Sequence, residues 1–197
     1  MSLPDRQTAE KELELGGSLN PGPWIEHSRA VALAAENIAR ACGMDSERAY
    51  IYGLLHDIGR RIGFCGAKHA YAGYVYALDK GWDEIARISL THSYTLHNTV
   101  QGVSAYDGPE DERLFIEKYI AEVEYDDYDR LIQLCDALGN PRGVCIIEKR
   151  IVDVLLRHGI QPGLLEKCRK LFELKACFDN LCGTDIYNLL PGIRDNL

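Results

Sequence analysis

Residues 50–63, YIYGLLHDIGRRIG, set an imidazole and a carboxylate side by side, His56 and Asp57, in an otherwise apolar and helix-like stretch. Burying an ionised carboxylate is costly unless it is paired or bound to a metal. The pair therefore needs partners, and four other residues have suitable types and places. His27 shares a helical stripe with Val31, Ala34 and Ile38, at steps of four, seven and eleven, and so points inward. His92 follows Ile85 and Ile88 on one face. His69 precedes Ala72 and Gly73, small residues that let another helix come close, and Tyr76. Asp136 sits in LIQLCDAL, where nearly every neighbour is apolar. Taken singly, each histidine reads as a hydrogen-bonded core residue and Asp136 as a salt bridge or helix cap. Together they are four inward histidines and two flanked acids on separate helices, which is how a helical bundle builds a central metal site. Neutral imidazole with carboxylate suits iron, zinc, manganese and related ions.

The elements that must carry these residues are helices. Residues 1–18 read as a polar arm or short helix ended by Gly16-Gly17, and Asn20-Pro21-Gly22-Pro23 as a turn. A helix of roughly two dozen residues then runs to Cys42-Gly43. Asp45-Ser46-Glu47 starts the next, which passes through Leu55 and the His-Asp pair. Further helices are expected over 68–80, from Trp82 through His92, from Pro109 to about Glu124, and over 127–138, 143–158 and 162–181, with a loop over 95–108. Alternating strands are absent. The expectation is an all-α fold with an N-terminal arm (1–20), a metal-binding core (21–140) and additional C-terminal helices (141–197) packed on it, a dimer contact being the rival use of those last helices.

The order His27, His56-Asp57, Asp136 resembles the H…HD…D signature of the HD superfamily of metal-dependent phosphohydrolases, and LLHDIGR resembles its HDIG subgroup. The likeness covers roughly residues 24–140. His69 and His92, in KHAYAGYVYAL and ISLTHSY, are similar to the extra histidines of HD proteins that hold two metals. The resemblance implies an HD-domain helical bundle with a first ion on His27, His56, Asp57 and Asp136, and a second on His69 and His92, with Asp57 as the bridge. A carboxylate has two oxygens to share between ions, whereas an imidazole coordinates through one nitrogen at a time. The implied cofactor is a divalent transition metal, two ions drawn from Fe, Mn, Zn, Ni or Co, with Mg as an alternative. The implied reaction is attack of metal-activated hydroxide on phosphorus, with no serine or cysteine nucleophile. Asp57 and Arg60 are then the catalytic pair. Arg60 stands where HDIG relatives commonly carry a lysine, and a guanidinium there can grip a phosphate bidentately. Arg61, Lys68 and His97 are further substrate-binding candidates. His158, ending a helix beside Gly159, reads as structural.

Composition limits the substrate. Acidic residues outnumber basic ones 30 to 22, for a formal net charge of −8. That balance argues against a broad basic face for long nucleic acid and leaves room for a small phosphorylated substrate such as a nucleotide, held by a local cluster of cations. No apolar run approaches the roughly 20 residues of a membrane-spanning helix, and the charged start lacks the apolar region of a signal peptide. Seven scattered cysteines, an odd number without a CxxC pair, read as free thiols of a cytoplasmic protein. Two rivals to a phosphohydrolase remain at this level: a nucleotide-binding regulatory module without turnover, and a di-iron HD oxygenase.

Overall fold

The computed structural model describes residues 3–100 and 105–196. Among these the elements are α1 (Arg6–Leu19), α2 (Trp24–Ala41), α3 (Ser46–Leu55), a 3₁₀ turn over Ile58–Ile62, α4 (Lys68–Asp79), α5 (Asp83–Thr91), α6 (Glu110–Glu122), α7 (Asp127–Leu138), a hairpin of two strands, β1 (Gly139–Asn140) and β2 (Gly143–Val144), then α8 (Ile147–His158), α9 (Leu164–Cys182) and two short 3₁₀ turns. The fold is all-α. Acids begin several helices by accepting amide hydrogens that a first turn leaves free. Asp5 does so for α1 and Asp45 for α3, and Asp126 forms a capping box with Asp129 at α7.

The apolar stripe of α2 packs along α3 and α7, α4 lies on α5 and on the 3₁₀ turn, and α9 lies on α7 and α8. Val31, Ala34 and Ile38 of α2, Leu54 and Leu55 of α3, Ile85 and Ile88 of α5, and Leu131, Leu134 and Leu138 of α7 belong to one buried cluster. The six candidate residues stand on or directly beside these helices: His27 on α2, His56 and Asp57 just beyond α3, His69 on α4, His92 just beyond α5 and Asp136 on α7. Among the described residues no helix is long and apolar enough to cross a membrane.

Several expectations are corrected. Of the arm or short helix expected before Gly16-Gly17, the helix is found, but glycine does not close it: α1 runs through Gly16 and Gly17 to Leu19. A Cβ on Gly16 would meet the Trp24 ring at 3.0 Å and one on Gly17 the Ile25 side chain at 2.7 Å, so these glycines let α1 lie against the start of α2. α2 has 18 residues rather than two dozen, because it starts only beyond Pro23. The residues after Asn140 form β2 before α8 begins, so that helix starts at Ile147 rather than 143. Cys42 and Cys182, at the ends of α2 and α9, form a disulfide with their Cα atoms 4.6 Å apart. The free-thiol reading therefore holds for five cysteines and fails for this pair. It also loses its force as an argument for a reducing compartment. Of the expected 95–108 loop, residues 101–104 lie outside the described residues.

Candidate metal centre

α3 stops at Leu55, one residue before the His-Asp pair rather than running through it. His56 keeps helical dihedrals (φ −55°, ψ −36°), but Asp57 leaves them (φ −101°, ψ 14°) on entering the 3₁₀ turn. Neighbours on a regular helix diverge by about 100°; the break at Asp57 lets both side chains face one interior point. The turn is held against α4 by Gly59. A Cβ there would stand 1.9 Å from the main-chain oxygen of His69.

The six residues converge. His27 Nε2 lies 3.0 Å from Asp136 Oδ1, and His56 Nε2 lies 3.7 Å from the same atom. His56 Nε2 is 3.8 Å from Asp57 Oδ2. On the other side of that carboxylate, Oδ1 is 3.1 Å from His69 Nε2 and 3.6 Å from His92 Nε2. Two sets of ligand atoms are close enough to hold an ion each: His27, His56 and Asp57, and Asp57, His69 and His92. All four histidines and Asp57 are buried. The Asp136 side chain is 27% exposed, which makes it the open side of the cluster.

Hydrogen bonds at the far ring nitrogens decide what the near ones offer. His56 Nδ1 donates to the Gly53 carbonyl (2.7 Å), His69 Nδ1 to the Gly66 carbonyl (2.6 Å) and His92 Nδ1 to the Ile88 carbonyl (3.1 Å). A carbonyl only accepts, so each Nδ1 carries the proton and the neutral ring turns an Nε2 lone pair inward. The Nε2 atoms of His69 and His92 are then two lone pairs 3.2 Å apart beside a carboxylate oxygen. His56 Nε2 and Asp57 Oδ1 are buried without any hydrogen bond. Electron-rich atoms gathered in this way fit a cation, and the imidazole–carboxylate set suits a divalent transition metal.

The electrostatics agree. Burial alone would raise the Asp57 carboxyl, but Arg60, His69 and His56 outweigh it and hold Asp57 well below the usual range. Asp136 behaves likewise: burial raises it, and the neighbouring His27 and His56 bring it well below. Both acids are anions at neutral pH. Burial also presses His56 downward, yet Asp57 and Asp136 win and raise it, so the carboxylates recruit a proton where no other cation is bound. His92 is pushed down to about 4 by burial.

Residues to which the sequence reading gave no positioning role set this geometry. Asp107 accepts the main-chain N–H groups of Gly66 (2.6 Å) and Lys68 (2.7 Å), fixing the loop whose carbonyl orients His69. Gln133 donates to the carbonyls of Thr91 (3.1 Å) and Tyr94 (3.0 Å), closing the end of α5 around His92. Asp129 is fully buried, binds Arg87 (3.0 Å) and accepts from Thr91 (2.7 Å). Only Asp129 carried a legible signal, as the third helical residue after Asp126. From α9, Lys167 Nζ donates to the Ser93 carbonyl at 3.0 Å.

The substrate-binding candidates divide. Arg60 joins the cluster: its Nε donates to Asp57 Oδ2 at 2.5 Å, a contact that leaves Nη1 and Nη2 out. Arg61 is turned elsewhere, which corrects its candidacy. Its guanidinium bonds Glu12 at 3.3 Å and covers the Tyr76 ring at 3.9 Å, so it ties α1 to α4. Lys68 directly precedes His69 with a half-buried side chain. His97 is exposed, with Nδ1 on the Ile120 carbonyl (3.2 Å) and its ring stacked on Tyr125. His158 ends α8 beside Gly159 and is exposed.

No curated protein and no solved structure matches the chain. The family model of the HD domain matches residues 24–140, the span that carries all six converging side chains. With more than half its length so matched, the chain belongs to the HD domain family, the superfamily of metal-dependent phosphohydrolases.

Proposed function

We propose that this protein is a metal-dependent phosphohydrolase that cleaves a phosphoester or phosphoanhydride of a small nucleotide or phosphorylated metabolite. The observation that carries the reading is the meeting of the His69 and His92 Nε2 lone pairs, 3.2 Å apart, beside the buried Oδ1 of Asp57. In this reading His27, His56, Asp57 and Asp136 hold one divalent transition-metal ion, and Asp57, His69 and His92 hold another. LLHDIGR supports an HDIG-type arrangement. When bound, the ions supply hydroxide at neutral pH and positive charge for the phosphoryl oxygens.

The chain's own groups do the rest. Asp57 stays ionised, kept so by Arg60 and the histidines, and is available to both sets of imidazoles. Arg60, steadied through Nε, turns its remaining N–H groups to a phosphate oxygen. The carbonyls of Gly53, Gly66 and Ile88 hold three rings in the tautomer that presents Nε2. Asp136, on the open side, leaves a substrate phosphate a way in.

The test is phosphate release from a panel of nucleotides and sugar phosphates by metal-loaded protein, in air and anaerobically. Release that is independent of oxygen and abolished by Asp57→Ala is expected. Oxygen consumption without phosphate release would instead identify an oxygenase, and binding of a nucleotide without turnover a regulatory module.

A further inference from the structure

α9 lies outside the span matched by the HD model, yet it delivers a cation to the edge of the cluster. Lys167 Nζ donates to the main-chain oxygen of Ser93 at 3.0 Å. Ser93 directly follows His92, and its Oγ lies 2.9 Å from His92 Nε2. The other two α9 lysines have carboxylates beside them: Lys170 has Glu173, and Lys175 has Asp179 and Asp185. Among the described residues no carboxylate comes within 4.0 Å of the Lys167 ammonium. An ammonium has three donors, so one bond to a carbonyl leaves two free. Burial disfavours its charge, and Asp136, close enough to act on it, favours it. The side chain is half-buried, and an anion that accepted its two free N–H groups would favour the charge further.

The same two segments continue into a cleft of about 380 Å³. His97 borders it on the loop side, Arg130 of α7 lines it, and α9 contributes Glu166, Arg169, Lys170 and Glu173. The cations outnumber the acids, and the cleft has room for the part of a substrate that extends beyond its reacting phosphate.

We infer that Lys167 is a substrate-binding residue that supplies its two free N–H groups to a phosphate group of the substrate, so that α9 forms one wall of the active site. The inference deepens the phosphohydrolase reading and rests on it for the identity of the anion. The binding itself is measurable without turnover. Lys167→Gln keeps a donor for the Ser93 carbonyl but loses the charge, whereas Lys167→Arg keeps both.

The test is calorimetric titration of metal-loaded full-length protein with inorganic phosphate. The glutamine variant is expected to bind phosphate about tenfold or more weakly, with unchanged manganese affinity and melting temperature, and with arginine restoring most of the loss. In turnover assays its KM rises more than its kcat falls. A second measurement needs no variant: phosphate should protect Lys167 from reductive methylation in the wild-type protein while Lys175 is modified as before. Equal phosphate affinity in the wild type and the glutamine variant, or the absence of protection, overturns the inference. If phosphate binds through Lys167 but no substrate is hydrolysed, the hydrolase reading falls alone. If hydrolysis proceeds with KM untouched in the glutamine variant, the lysine falls alone.

Discussion

Nε2 of His69 stands 3.1 Å from Oδ1 of Asp57. The other oxygen of that carboxylate takes the Arg60 hydrogen bond and lies 3.8 Å from His56. One side chain therefore divides its two oxygens between two groups of imidazoles. Asp57→Asn replaces one oxygen by a donor and removes the charge that both groups share. We expect metal retained after dialysis to fall for both ions, and phosphate release to fall by at least about a hundredfold. Metal analysis and a phosphate assay on the same preparation check this. Wild-type metal content in the variant would count against a shared ligand.

Gly59 carries a second prediction. Because its missing Cβ would sit 1.9 Å from the His69 oxygen and 2.4 Å from the Gly73 nitrogen, Gly59→Ala must part the 3₁₀ turn from α4. The obstruction is backbone, which cannot rotate aside. A loss of about 1–3 kcal/mol in urea unfolding is expected, together with weaker metal binding on the His69 side. An unchanged midpoint would contradict this packing.

In metal-free protein two neighbouring rings should titrate in opposite directions. His92 is pushed down to about 4 by burial, whereas burial of His56 is overcome by Asp57 and Asp136, which raise it. The unfolded value of both is about 6.5. A depressed histidine binds fewer protons folded than unfolded, so its environment withdraws stability as pH falls from about 6.5 towards about 4. A raised one gives stability that is complete below the unfolded value and is lost as pH climbs through the folded one. Ring-proton and nitrogen NMR of the metal-free protein near pH 6 should show His92 neutral and His56 protonated. Two rings titrating together near 6.5 would contradict the burial and pairing described.

The Cys42–Cys182 bridge closes most of the chain into one loop. Thiol titration of unfolded, unreduced protein should find five groups, and seven after reduction. Cys182→Ser should cost about 2–4 kcal/mol. Seven reactive thiols at the outset would show the pair open.

Much of the fold was legible because glycine, proline and acidic caps punctuate the helices, and because His27 repeats the phase of Val31, Ala34 and Ile38. The convergence of six polar residues was legible for a different reason: acids and imidazoles in apolar runs need one another. What stayed hidden depends on contacts between distant segments. Gly16 and Gly17 look like a stop until Trp24 and Ile25 lie against them. Arg61 sits beside Arg60 in sequence, yet the short 3₁₀ turn sends one guanidinium to Asp57 and the other to Glu12. Lys167 is one charge among many on α9, and no local pattern marks it as the one that reaches Ser93.

The most direct measurement is anomalous diffraction from crystals grown with manganese. Two peaks should appear, one on each side of the Asp57 carboxylate and about 3.5–4 Å apart, the first among His27, His56 and Asp136 and the second between His69 and His92. A single peak, or peaks away from these side chains, would contradict a two-ion centre.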